Sequence, residues 1–478
     1  MQKRKRLINY YLNHRWFVVS LSVMFAVMLI YLSTATANVP LMDYWRYINM
    51  FVPKMYTEGV TFWDLWQNDG VHRSPLQFLY FLLNVNYFHL NAQIEIYVGA
   101  AVLAIVCILV YREFIRTLGN VQQFAKGLYS IGIVLIIYNL NQWELIAEQF
   151  ALSFSSRLLL FLIAFILTDK YLHNIERYRH YTFEIGLFYV LVVCLVGGGY
   201  FPALIAAIIS ALAFDQVCRV VNREQLYWKE HIYLFGSLCI ATFIYLYGTM
   251  DSVEQSIGQF NIANLILMYV QGLVMMLGVA FLGTSASTLG AMTLGTVTLF
   301  GATALVIVFF SKKMYYKTYT PIIMLVYFGG TAGLICLGRN NLYGMNFAFS
   351  SRYVCETNIA LLGCFWIICL LLVEEVAFLC ASHCWAKTTI YMVLGITMLT
   401  GIVSADFREM NIAPYRGEYY RNLISMMTNL DSLTEEDFLL FQADEDEVRS
   451  GVAIMREYHL GYFFKNPQPK YLKCGDTN

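Results

Sequence analysis

The sequence predicts an all-α polytopic membrane protein, a bundle of about eleven transmembrane helices with interfacial helices in a long first outer loop. Three observations carry that expectation. The composition is 59% hydrophobic and only 13% charged, a balance soluble domains do not show. Apolar runs close to the length of a bilayer crossing recur along the chain. Lys and Arg gather in alternate connections, as the positive-inside rule requires of a multi-pass protein.

The apolar runs fall at 16–35, 92–111, 126–140, 152–168, 183–199, 201–217, 231–248, 289–311, 320–338, 354–373 and 388–405. Lys3, Arg4, Lys5 and Arg6 precede the first. Arg112, Arg116 and Lys126 join the second to the third, and Lys170, Arg177 and Arg179 join the fourth to the fifth. Arg219, Arg223 and Lys229 follow, then Lys312, Lys313 and Lys317. All lie on one side if the N-terminus is cytoplasmic. The basic opening "MQKRKR" is followed by no small-residue cleavage site, so the first run reads as a retained span. Counting 263–283 as a further span would put "SKKMYYK" outside; that segment is expected to be an outer-face or re-entrant element. The C-terminus is then outside, which divides the chain into a transmembrane part at 1–405 and an external helical part at 406–478, the latter with a capping pattern from Ser432 to Glu435.

Charge and cysteine usage narrow the function. With 32 basic and 32 acidic residues no net field favours nucleic acid. The 11 Cys lack paired CxxC spacing, and most sit inside apolar runs as small core hydrophobes.

Polar residues collect instead in three outer connections. The first loop, 37–91, carries Asp43, then Trp45, Trp63, Trp66 and neighbouring Tyr and Phe residues that suit interfacial helices at headgroup level, and "NDGVHRSP" with Asp69, His72 and Arg73. Alone, Asp43 reads as a helix cap or a solvated acid. The second connection is "NLNQWELIAEQFALSFSSR", with Gln142, Trp143, Glu144, Glu148 and Arg157. Trp143 there suits an interfacial anchor and Glu144 an N-terminal helix acid. Arg157 lies where basic residues are otherwise scarce, so it should meet an anion or an acid. The third, "GRNNLYGMNFAFSSRYVCETN", holds Arg339, Ser350, Ser351, Arg352 and Tyr353. Two arginines against the positive-inside trend suit bidentate phosphate contacts, or pairing with the acidic tail. "VGGGYFP" at Gly197 to Gly199 marks a tight turn.

Taken in order, an acid opening an aromatic first loop, an "HR" closing it, then "QWE", then "GR" and "SSRY", this chain resembles bacterial polytopic glycosyltransferases of the GT-C superfamily. Those enzymes use polyprenyl-phosphate sugars, undecaprenyl phosphate being the carrier, to modify O-antigen or other cell-envelope polysaccharide on the outer face of the cytoplasmic membrane. The resemblance implies a GT-C-like bundle with Asp43 as catalytic base and Glu144 as a second catalytic acid. It implies Arg339, Arg352 and Arg157 as donor-phosphate ligands, and His72, Arg73, Gln142, Trp143, Tyr353 and Asp69 around the substrates. Where relatives often read "NEHR", this chain reads "NDGVHR". No cofactor is certain; a divalent cation, Mg²⁺ or Mn²⁺, held by Asp43 and Glu144 is open, although no ligand set marks it. The expected partners are a lipid-linked sugar donor, a glycan acceptor that could itself be lipid-linked, and the membrane, with no nucleic acid. Two other classes compete. A flippase of lipid-linked sugars predicts ionisable groups near mid-membrane, where these runs have few. A polysaccharide polymerase or ligase would carry a large arginine-rich late outer loop, and here that link is short.

Overall fold

The computed structural model of the chain describes residues 2–68, 72–119, 123–247, 262–377 and 384–465. Among them the regular structure is helical, with no strand. The longer helices are α1 (Gln2–Ala35), α2 (Asp43–Thr57), α3 (Pro75–Phe88), α4 (Ala92–Leu118) and α5 (Gln123–Ile137). Then come α6 (Ala151–His173), α7 (Thr182–Val196), α8 (Phe201–Asn222), α9 (Trp228–Leu246) and α10 (Ile262–Leu282). The last are α11 (Thr288–Ser311), α12 (Thr320–Tyr343), α13 (Val354–Ala377), α14 (Cys384–Thr428) and α15 (Glu445–Glu457).

Local sequence sets several of these boundaries. Asn91 caps α4 by accepting from the Gln93 N–H, and Ser287 caps α11 by accepting from Gly290. Pro75 and Pro202 sit in the first turns of α3 and α8, where a missing N–H costs nothing. Ten helical segments among the described residues are long and apolar enough to cross a membrane. The runs expected at 126–140 and 231–248 are not among those ten. They fold as α5, of 15 residues, and α9, of 19, which carries Lys229, Glu230 and His231 in its first turn.

The segment 263–283, expected as an outer-face element, is one of the ten as Asn264–Leu282. Its surroundings are informative. Tyr247, the last described residue before it, accepts from Arg73 in the first loop. Near its C-terminal end the Val279 carbonyl accepts from Asn141 Nδ2 (2.9 Å), in the turn after α5. The Val279 end of α10 therefore lies at the end of the bundle that carries Asp43. α10 packs on α11 through glycines: a Cβ at Gly278 or Gly295 would run into the backbone of Ala291 or Val274.

The opposite end of the bundle is an ion-pair lattice. Arg116 pairs with Asp169 (3.0 Å), Lys170 with Glu113 (3.0 Å), His173 with Asp169 (3.3 Å) and Arg219 with Asp215 (2.7 Å). Tyr319 at the start of α12 donates its N–H to Asp169 and its hydroxyl to Asp215. Lys312 reaches Glu374 and Glu375 across α13. The basic connections named above thus gather at the end away from Asp43.

At the Asp43 end a second core forms between the first loop and the tail. Trp45, Tyr44, Ile48, Phe51, Phe78 and Phe81 pack with Leu423, Met427, Phe441, Val448 and Met455. Residue 406, expected to open a separate external part, falls inside the continuous helix α14, and the tail shares its core with the first loop. Trp45 is fully buried, edge-on to Phe441 (centroids 5.7 Å apart), and Gly451 leaves the room its indole needs. Trp45→Ala should cost about 3–5 kcal/mol, read as a lower thermal midpoint in detergent; an unchanged midpoint would deny the shared core.

Candidate functional site

Helix α2 buries Tyr44, Trp45, Tyr47, Ile48, Phe51 and Val52, a stripe at helical spacing that leaves Asp43 and Arg46 on the open face. Asp43 is half-exposed and pairs with Arg46 at 3.0 Å. Met42, just before it, has φ 51, a backbone region a side chain seldom enters. The tail fixes that geometry, since the Met42 N–H donates to the Phe441 carbonyl at 3.2 Å.

The "QWE" connection is locked from below. Asn139 Nδ2 donates to Asn358 Oδ1 (3.0 Å), and Gln142 Nε2 to the Ile137 carbonyl (2.8 Å). Trp143 lies under the Arg416 guanidinium of α14, 3.4 Å from ring centroid to Cζ. Glu144 is thereby held against the "SSRY" segment. Its Oε2 accepts from Ser350 Oγ (2.8 Å), from Arg352 N–H (2.9 Å) and from Arg352 Nε (3.4 Å), while its own N–H donates to Ser351 Oγ (3.0 Å). Burial opposes ionisation there, but the Arg352 charge and these donors outweigh it and hold the Glu144 carboxyl below its ordinary value.

One cavity of about 230 Å³ runs across this arrangement. It brings together Asp43, His72, Glu144, Arg157, Arg339 and Arg352, six of the residues expected at a site, two from each of the three outer connections. His72 reaches it because Gly199 lacks a side chain: a Cβ there would approach His72 Cε1 to 2.6 Å, which gives the "GGG" turn its reason. Arg157 points in from α6 with its charge already met. Its Nη2 donates to Glu356 (2.6 Å), Glu356 also accepts from Tyr327 (2.7 Å), and the Tyr200 ring lies 4.3 Å from Cζ. Arg339 and Arg352 also line a second cavity of about 360 Å³ with Tyr353, so the two arginines are shared by both spaces.

Other expected residues stand elsewhere. Arg73 does not line the cavity: only 4% exposed, it donates to Asn68 Oδ1 (2.8 Å) and to the Tyr245 and Tyr247 carbonyls (3.0 and 2.6 Å). It closes the end of α9, where helix carbonyls have no helical partners. Gln142 and Trp143 brace the connection from behind and do not line the cavity either. Asp69 lies outside the described residues. A Mg²⁺ or Mn²⁺ ion between Asp43 and Glu144 does not fit the donor set. Asp43 is engaged by Arg46, Glu144 by Ser350 and Arg352, and no cluster of three metal-capable side chains occurs among the described residues.

Sequence reasoning left Glu148 without a role. It lines the cavity four residues on from Glu144, just past the short helical turn, and is 2% exposed. The four-residue spacing was the available signal. Burial, then the neighbouring Glu144 charge, pushes its carboxyl up to about 8. Two carboxyls in one cavity are thus driven in opposite directions, a common property of proton-handling sites and a reason to test both.

The Glu148 shift has a sign in stability. The folded chain keeps a proton that the unfolded chain releases above the ordinary value of 4.5, so stability declines as pH rises from there to about 8. Thermal midpoints in detergent should fall over that range for the wild type, and Glu148→Gln should flatten the decline. Parallel curves for the two proteins would contradict the buried neutral acid.

No protein-family model, curated protein or solved structure matches this chain. What the chain does must be argued from the cavity itself.

Proposed function

We propose that the chain is a membrane glycosyltransferase that moves a sugar from a polyprenyl-phosphate donor to a cell-envelope glycan acceptor, working at the Asp43 end of the bundle. The observation that carries this reading is the single cavity in which a half-exposed carboxylate, Asp43, meets the guanidiniums of Arg339 and Arg352. An acid and a pair of arginines are what such a transfer needs. Asp43 takes the proton of the acceptor hydroxyl, and the acceptor oxygen bonds to the anomeric carbon. The bond from that carbon to the phosphate oxygen breaks, its electron pair leaves with the phosphate, and Arg339 and Arg352 stabilise the charge that develops. Attack opposite the leaving group inverts the anomeric carbon. Glu144 orients Arg352 in this scheme by accepting from its N–H and its guanidinium. Arg157, paired with Glu356, adds positive potential and needs no rearrangement to do so.

The concentration of basic connections at the opposite end supports a cytoplasmic placement for that end and an outer placement for the cavity, in a bacterial cytoplasmic membrane. Exposed Phe62 and Trp63 in the first loop, with Tyr247 and Phe243 at the end of α9, suit the headgroup layer at that level.

Vesicles carrying the protein and a panel of polyprenyl-phosphate sugars test the reading. Asp43→Asn should lower transfer by about 10²-fold or more. Undiminished transfer would remove Asp43 from the chemistry, and passage of intact lipid-linked sugar across the bilayer without donor consumption would favour a flippase. Arg352→Ala should impair donor use more than acceptor use; equal loss of both would make it a structural residue.

A further inference from the structure

Glu148 is a buried cavity-lining acid that the transfer scheme above does not use. Among the described residues the one hydrogen bond to its side chain comes from the Tyr420 hydroxyl at a long 3.5 Å, whereas the Glu144 side chain takes the Ser350 hydroxyl, the Arg352 N–H and the Arg352 guanidinium. The groups that face Glu148 are Glu144 on its own segment, Arg352 beside it, and Arg416, Tyr419 and Tyr420 on α14. Asp43, His72, Arg157 and Arg339 share the cavity with it.

Charge balance gives this placement a meaning. The cavity is lined by three guanidiniums, Arg157, Arg339 and Arg352, and by three carboxyls, Asp43, Glu144 and Glu148. With all six ionised, and with Glu356 beside Arg157 and Arg46 beside Asp43 counted in, the site has no net charge and little reason to hold an anion. With Glu148 neutral the lining is net positive. A neutral carboxyl also offers an O–H donor, which a carboxylate lacks.

We infer that Glu148 is a further ligand-binding residue of the proposed site: as a neutral carboxylic acid it donates its hydroxyl hydrogen to an oxygen of a phosphate group held by Arg339 and Arg352. This rests on the phosphate reading of the cavity. The same chemistry would serve a lipid-linked or a free phosphate. It makes ligand capture sensitive to alkaline pH through the protein, independently of Asp43.

The test compares wild type with Glu148→Gln, which keeps the shape and a permanent donor, using dodecyl phosphate as probe in detergent between pH 6 and 9. Taking the ratio of the two affinities at each pH cancels the titration of the probe. The ratio should be near one at pH 6, and wild type should then lose affinity relative to the variant by up to about tenfold per pH unit above the Glu148 transition. A ratio constant over the whole range overturns the role of Glu148 and leaves the phosphate site standing. No binding by either protein at any pH overturns both. Inorganic phosphate in place of dodecyl phosphate separates a free anion from a lipid-linked one, and the same ratio pattern with either probe supports the inference. Infrared difference spectra, wild type minus variant, give a readout that needs no ligand. The carbonyl band of a protonated carboxyl should be present at pH 7 and vanish at higher pH, and its absence at pH 7 overturns the inference.

Discussion

The Glu144 carboxylate is the contact on which the Asp43 end of the bundle depends. It joins the turn between α5 and α6 to the segment before α13 through bonds that run both ways, acid to Ser350 and Arg352, backbone N–H to Ser351. Charge-assisted bonds of this kind contribute roughly 1.5–3 kcal/mol each. Their position matters more than their sum. Without them the Arg352 guanidinium, which lines both cavities, would lose the acid that holds it in place.

A second constraint, independent of the first, places Asp43. Helix α2 is a surface helix whose apolar stripe is covered by the tail, so the carboxylate at its first turn is positioned by residues that come last in the chain. α14 connects the two constraints. It begins near the lattice of ion pairs, passes over Trp143 with Arg416 bound to Glu409 and Tyr31 hydrogen-bonded to the same acid, and ends in the tail core. One continuous helix therefore braces both the connection that carries Glu144 and the cover over α2.

The overall class was legible in the sequence because lipid demands long apolar helices, and composition reports that demand directly. The membership of the cavity was partly legible: Asp43, Glu144, Arg339 and Arg352 stand out as polar residues in aromatic or apolar connections. Arg73 shows the limit. A buried arginine that serves three oxygen acceptors looks, in sequence, the same as one that faces a ligand. Glu148 shows the opposite error. The sequence offers no role for it, and only its burial against Tyr420 shows that it is a cavity residue. The count of crossings was the least legible feature, since α10 is apolar enough to span and α5 is too short, and neither property fixes where a helix sits.

The bond from Met42 to Phe441 links residues about 400 positions apart, and the Arg352 bond to Glu144 spans 208. Contacts of such long sequence separation form late, after the loops between them have closed. During synthesis the first loop and the "QWE" turn are therefore in place well before their partners leave the ribosome. A nascent chain inserted up to α12 would have its acids but neither the "SSRY" segment nor the cover on α2, so the assembled cavity is itself a mark of a completed chain.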